Sequence, residues 1–215
     1  TMIIGLLIAS VRLHTKDTAL ETITTIHLIR HGQVYNPQQI YYGRLPRFGL
    51  SETGRAQAAR AGAHMAGKPL DAIFTSPMLR ARQTAALVRG ERRIPLRVSQ
   101  LLNEVRSPYD GQPWRVLEER NYDVYTGSGS EFEQPADVLE RMLRFVARVR
   151  REVPGGSVAA VSHGSPLGII HDWARGLGQP RSTHTLQGHA AVMTLEFHTD
   201  YPEELPRIAF FDPNG

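Results

Sequence analysis

Arg30-His31-Gly32 ends a short apolar run, Thr24–Ile29. A neutral imidazole is a nucleophile. An adjacent arginine cation disfavours imidazolium and so keeps the ring unprotonated near neutral pH. The same guanidinium can bind a phosphoryl oxygen, and Gly32 lets a substrate approach the backbone closely. Alone, the tripeptide reads equally well as a polar strand end. Four further features sharpen it. Arg80 lies in Ser76-Pro77-Met78-Leu79-Arg80-Ala81-Arg82. Glu104 closes Leu101-Leu102-Asn103-Glu104, and His163 sits in Val161-Ser162-His163-Gly164. The segment after Gly32 carries Asn36 and the Tyr42-Gly43 pair. Together these supply a nucleophile, two guanidinium groups, a second imidazole and a carboxylic acid.

The elements that must position them follow from patterning. Thr24–Ile29, Asp71–Phe74, Leu96–Val98 and Ser157–Val161 read as strands, with closing strands at Ala191–Phe197 and Arg207–Phe210. Ser51-Glu52-Thr53 opens an Ala-rich helix to about Ala66. Thr75-Ser76-Pro77 caps a helix over Met78–Arg89, with Pro at or near its first turn. A short helix falls near Trp114–Arg120. Pro135–Val153 is a helix with Leu139, Met142, Leu143, Val146 and Val149 on one stripe, and another runs from Gly164 to about Arg175. Strands and helices alternate at βαβ spacing, which predicts an α/β fold, a three-layer αβα sandwich with a mainly parallel sheet. Ligands bind such sheets beyond the carboxyl ends of the strands. His31-Gly32 and His163-Gly164 both end strands, so both belong on that rim. Residues 33–50 form a long Pro- and Gly-containing loop, and long loops in compact domains are usually functional.

Composition narrows the class. The chain has 215 residues, 41% apolar and 21% charged, which excludes wholesale disorder. It contains no cysteine, which removes disulfides, thiolate metal sites and a Cys nucleophile. The net charge is +4, and the basic residues are 23 Arg and 2 Lys. Arg suits planar two-pronged recognition of phosphate or carboxylate. No run reaches the ~20 apolar residues that span a bilayer. Met2–Val11 has the length of an export-signal core, but nothing basic precedes it. Residues 1–23 read as an N-terminal extension, residues 24–215 as one domain with a small lid-like insertion at 103–134, and the location as cytoplasmic.

From about Thr24 to Phe197 the chain resembles the histidine phosphatase superfamily, the phosphoglycerate mutase-like proteins. The motifs are LIRHGQ, GLSETGRAQA, FTSPMLRARQTA, LLNE and VSHG, in that order. The resemblance implies a phosphoglycerate mutase-like fold and a phosphomonoester hydrolase with no metal or other cofactor. It implies that His31 forms a phosphohistidine while Arg30, Arg80 and His163 hold phosphoryl oxygens. Glu104 would protonate the leaving oxygen and then activate water. Gly32, Asn36, Tyr42, Gly43 and Gly164 would line the phosphate site. Phosphoryl transfer is catalysed mostly by positioning and electrostatic stabilisation, which such a set offers. A carboxyl acting as an acid near neutral pH needs a raised pKa, so burial or the bound phosphate must offset the arginines.

The chain departs from the family pattern at three places. The first loop is one residue short before Asn36, Tyr42 stands where a small hydroxyl residue is common, and His189 and Ala191 replace the usual Asn and Ser. The alternatives are a cofactor-dependent phosphoglycerate mutase and a non-catalytic binding module with a retained phosphate pocket. Only residues 105–134 separate Glu104 from the next long helix, and a short, open site favours hydrolysis over mutase chemistry. The expected partner is a small phosphate ester, with a homodimer allowed and neither nucleic acid nor membrane expected. Arg141, Arg144, Arg148 and Arg151 read as a solvated basic face. His27 reads as a satisfied core or face histidine. Trp114, Tyr109, Tyr122 and Tyr125 read equally as a satellite core or as a lid shaping substrate choice.

Overall fold

The computed structural model describes residues 22–127, 129–178, 188–201 and 203–214. Strand β1 (Ile23–Arg30) lies inside the sheet, and its side chains alternate between two cores: Ile26 and Leu28 face one, Ile29 the other. Strand β2 (Ala72–Thr75) divides Phe74 from Ile73 in the same way, and β4 (Ser157–Ser162) divides Val158 and Ala160 from Ala159 and Val161. Strands buried on both faces need such continuous apolar runs. With β3 (Leu96–Val98), β5 (Val192–His198) and β6 (Arg207–Phe211), the order is β3-β2-β4-β1-β5-β6. β1, β4, β2 and β3 pair in parallel, while β5 runs antiparallel to both β1 and β6.

Helices α1 (Glu52–Ala66) and α2 (Leu79–Arg89) cover one face through Ala61, Met65, Ala81, Ala85 and Val88. Their alanines and Gly62 allow close approach: a methyl at Gly62 would meet the Leu87 carbonyl at 2.8 Å. Ser51 caps α1, accepting from the Gly54 amide at 3.0 Å, an interaction worth about 1 kcal/mol. The short α3 (Trp114–Glu118) lies in the segment after Glu104. Helices α4 (Pro135–Glu152) and α5 (Gly164–Ala174) cover the other face, completing the three layers.

The structure departs from the sequence reading in detail. β1 extends the expected strand by one residue at each end. The buried face of α4 takes Val138 and Phe145, leaving Leu139 and Leu143 only partly buried. Phe145 sits edge-on to Phe74 of β2 at 5.4 Å, which rotates the apolar arc toward the sheet. Arg141 is no part of a solvated face. It is buried, bonded to Glu133 at 2.8 Å and to the Leu101 carbonyl at 2.8 Å. The segment after Glu104 contributes Leu117, Val124 and Tyr125 to the large core, with Tyr109 and Trp114 packed on it. His27 is buried and bonded to the Thr194 hydroxyl at 2.8 Å. Met2–Val11, Ser128 and His184 lie outside the described residues. Among the described residues no helix is long and apolar enough to cross a membrane.

Candidate active site

The carboxyl ends of three adjacent parallel strands build the site. Arg30 pairs with Ser162 and Thr75 with Val161 in the ladder. The pairing runs one step further: the His31 amide donates to the Ser162 carbonyl at 3.1 Å, and the Ser76 amide to the Val161 carbonyl at 3.0 Å. Residues far apart in sequence are thereby held in register, so His31 and His163 meet with ring centroids 5.1 Å apart.

His31 is 2% exposed. Its Nδ1 lies 2.8 Å from the Gly32 carbonyl. A carbonyl only accepts, so Nδ1 carries the proton and Nε2 keeps its lone pair. Burial, then the Arg80 and Arg30 cations, hold the imidazole well below its ordinary pKa of 6.5. The ring is therefore neutral and its Nε2 nucleophilic at neutral and mildly acidic pH.

Glu104 is buried beside the pocket. Burial raises its carboxyl above the ordinary 4.5, outweighing the opposite pull of Arg80, the Val105 amide, Arg141 and Arg30. Oε1 accepts from the Val105 amide at 2.9 Å. The main chain at Glu104 is anchored by the Arg44 Nε, which donates to its carbonyl at 2.7 Å. Glu133 holds both Arg44 and Arg141, at 2.7 and 2.8 Å.

A pocket of about 270 Å³ opens here. Of the predicted residues, Arg30, His31, Asn36, Tyr42, Gly43, Glu104 and Gly164 line it. Gly164 begins α5, and helix N-termini present unsatisfied N–H groups to anions. Arg80 and His163 stand one layer back among the described residues. Arg80 is 1% exposed, donates to the Gly43 carbonyl at 2.6 Å, and lies 4.7 Å from the centre of the Tyr42 ring. Tyr42 in turn stacks on Phe48 at 5.4 Å. His163 places Nε2 2.8 Å from the Ser76 hydroxyl, leaving its buried Nδ1 without a partner.

Two predicted residues are used differently from expectation. Asn36 reaches the wall, but its amide bonds the Ile40 backbone, with Nδ2 donating at 2.8 Å and Oδ1 accepting at 3.3 Å. At Gly32 the space goes to the neighbouring helix rather than to a ligand: a methyl there would sit 2.3 Å from the Gly54 carbonyl. The Gly32 amide donates to the Thr84 hydroxyl at 3.1 Å, and that hydroxyl donates to the Arg80 carbonyl at 2.8 Å.

Sequence reasoning missed several participants. Tyr41 lines the pocket and buries its hydroxyl without a partner, beside Trp114 at 5.6 Å. Ser76, assigned to helix capping, orients His163 and also donates to Asn103 at 3.2 Å. Thr84 links the loop after His31 to Arg80. Ser76 and Thr84 both lie in FTSPMLRARQTA, but a hydroxyl in a motif gives no hint of its partner. His189, which stands where the family pattern has Asn, lines the pocket, with its ring 5.9 Å from that of His31. Burial and Arg30 lower its pKa to about 4.

Comparison with known proteins places this geometry. The sequence profile of the histidine phosphatase superfamily (branch 1) matches residues 26–205. Uncharacterized protein Rv0525 of Mycobacterium tuberculosis is 33% identical over 164 residues, covering 71% of this chain and 79% of that protein. The uncharacterized phosphatase PhoE of Bacillus subtilis is 27% identical over 195 residues, covering 90% and 96%. Among solved structures, Bacillus stearothermophilus YhfR superposes with a TM-score of 0.73 at 25% identity, covering 86% of this chain and 95% of that one.

Proposed function

Because the chain belongs to the histidine phosphatase superfamily, we propose that it hydrolyses phosphate monoesters through a covalent phosphohistidine at His31. The observation that carries this reading is the His31 Nδ1 bond to the Gly32 carbonyl, which leaves a neutral, bare Nε2 at the pocket wall.

In the first step Nε2 attacks phosphorus, the P–O bond to the alcohol breaks, and Glu104 gives its proton to the leaving oxygen. In the second, the Glu104 carboxylate takes a proton from water, the water oxygen attacks phosphorus, and the P–N bond breaks to release inorganic phosphate. Arg30 lies at the wall to neutralise the equatorial oxygens. Arg80 joins it by exchanging the Gly43 carbonyl for a phosphoryl oxygen, a two-pronged match that suits guanidinium. Burial and then the Arg80 cation hold His163 well below its ordinary pKa of 6.5. With Nε2 at the Ser76 hydroxyl, the ring would take up a proton only as the phosphate dianion binds and would then offer Nδ1–H to it. The Gly164 amide adds the α5 terminus, and Asn36, Tyr42 and Gly43 shape the cage. The cycle draws only on these side chains and water, and we place it in the cytoplasm.

The test is turnover and intermediate together. His31→Ala should lose about 10³-fold or more in kcat, the scale seen for nucleophile removal elsewhere. Acid-labile phosphate should appear on His31 in rapidly quenched wild type and be absent from the variant. Retained turnover would overturn the covalent route. Phosphate release without interconversion of 3- and 2-phosphoglycerate separates a hydrolase from a mutase, and the absence of all turnover would point to a binding module.

A further inference from the structure

The wall of the pocket beyond the phosphoryl cage is aromatic and uncharged. Trp114, Tyr41 and Val34 form it, with Gln33 as a neutral polar group. Trp114 is held edge-on between Tyr41 at 5.6 Å and Tyr122 at 6.2 Å, so the indole is a fixed surface. Among the described residues, Arg30 is the one arginine or lysine in the wall. Two guanidinium groups behind the site are committed elsewhere: Arg44 to Glu133 and the Glu104 carbonyl, Arg141 to Glu133 and the Leu101 carbonyl. His189 adds no charge at neutral pH, its pKa being lowered to about 4. A phosphate dianion uses Arg30 and Arg80 fully. A second anion on the substrate would be desolvated with no cation to meet it, which is costly. A flat apolar ring would gain contact area and edge or stacking geometry on Trp114 and Tyr41.

We infer that the substrates of this site are monoesters of uncharged alcohols carrying a flat ring, and that esters whose leaving group bears a carboxylate or second phosphate are rejected. The inference rests on the phosphohistidine reading and deepens it.

Three esters of unactivated alcohols test it: benzyl phosphate, glycerol 1-phosphate and 3-phosphoglycerate, the last two differing in charge rather than size. The expected order of kcat/KM is benzyl, then glycerol, then carboxylate ester, with steps of about tenfold, the scale of a modest pocket contact. Trp114→Ala should cut the benzyl-to-glycerol ratio by about tenfold, and a ratio is independent of the fraction of protein that folds. Gln33→Arg, at an exposed position of the wall, should raise the 3-phosphoglycerate-to-glycerol ratio by supplying the missing cation. A carboxylate ester turned over as well as glycerol 1-phosphate, or ratios unmoved by both substitutions, would overturn the selectivity. His31→Ala, run on all three esters, keeps the two readings apart. Hydrolysis surviving it sinks the nucleophile whatever the order, whereas a wrong order with a dead His31 variant sinks the selectivity alone. A wild type inactive on every ester overturns both.

Discussion

At the scale of single residues, one physical influence shifts two titrating groups of the candidate site in opposite senses. Burial lowers the His31 imidazole pKa and raises that of the Glu104 carboxyl, because removal from water penalises the charged form of each. The proximity of arginines reinforces the first and opposes the second. A pH dependence follows. His31 stays neutral below 6.5, so kcat/KM should not fall as pH drops through the ordinary imidazole range. In the proposed cycle Glu104 must be protonated for leaving-group departure, so kcat/KM should fall as pH rises through its elevated pKa. The substrate phosphate also titrates near pH 6, which is why the comparison with Glu104→Gln matters. That variant should lose the alkaline limb owed to the enzyme and about 10²-fold or more in kcat on unactivated esters. A limb of unchanged size and position in the variant would assign it to the substrate alone.

At the scale of elements, the rim depends on a close contact between the loop after β1 and the start of α1. Gly32 and Gly54 approach so tightly that neither tolerates a side chain. A methyl at Gly54 would lie 1.9 Å from the Gln33 carbonyl, which is backbone and cannot swing aside. Gly54→Ala should therefore destabilise by about 1–3 kcal/mol, the usual cost of overpacking, read as a lower urea midpoint at unchanged m. An unchanged midpoint would mean that the loop yields freely. The loop over residues 33–50 is closed at its base by the Val34–Leu50 bridge and tied to the segment after Glu104 by the Ile40–Pro113 bridge. The two irregular stretches that carry Tyr42 and Trp114 are thus fastened to each other as well as to the sheet.

At the scale of the whole molecule, buried histidines couple stability to pH. His27 is held at about 4 by burial, with Lys68 and His64 adding to the effect, and His189 also lies at about 4. Their unfolded values are near 6.5. Between 6.5 and about 4 the unfolded chain binds protons that the folded chain refuses, so stability is present above 6.5 and lost as pH falls through that window. Glu104 has the opposite sign, its stabilisation waning as pH rises above 4.5. The melting temperature should drop from pH 7 to pH 4, and His27→Gln should flatten that slope even while losing some stability at pH 7. An identical slope in the variant would remove His27 as a cause.

The order of strands and helices and the sheet's two buried faces were legible in the chain itself, and so was the candidate set Arg30, His31, Arg80, Glu104 and His163. Apolar periodicity is local, and the motifs around these residues are contiguous. Tertiary structure alone decided what each group meets. The partnering of Ser76 with His163, the burial of Arg141 against Glu133, the inward turn of Tyr41 and the approach of His189 to His31 join residues remote in sequence. Such contacts depend on how parallel strands register and how helices rotate on the sheet, and the burial that shifts each pKa arises only once those layers close.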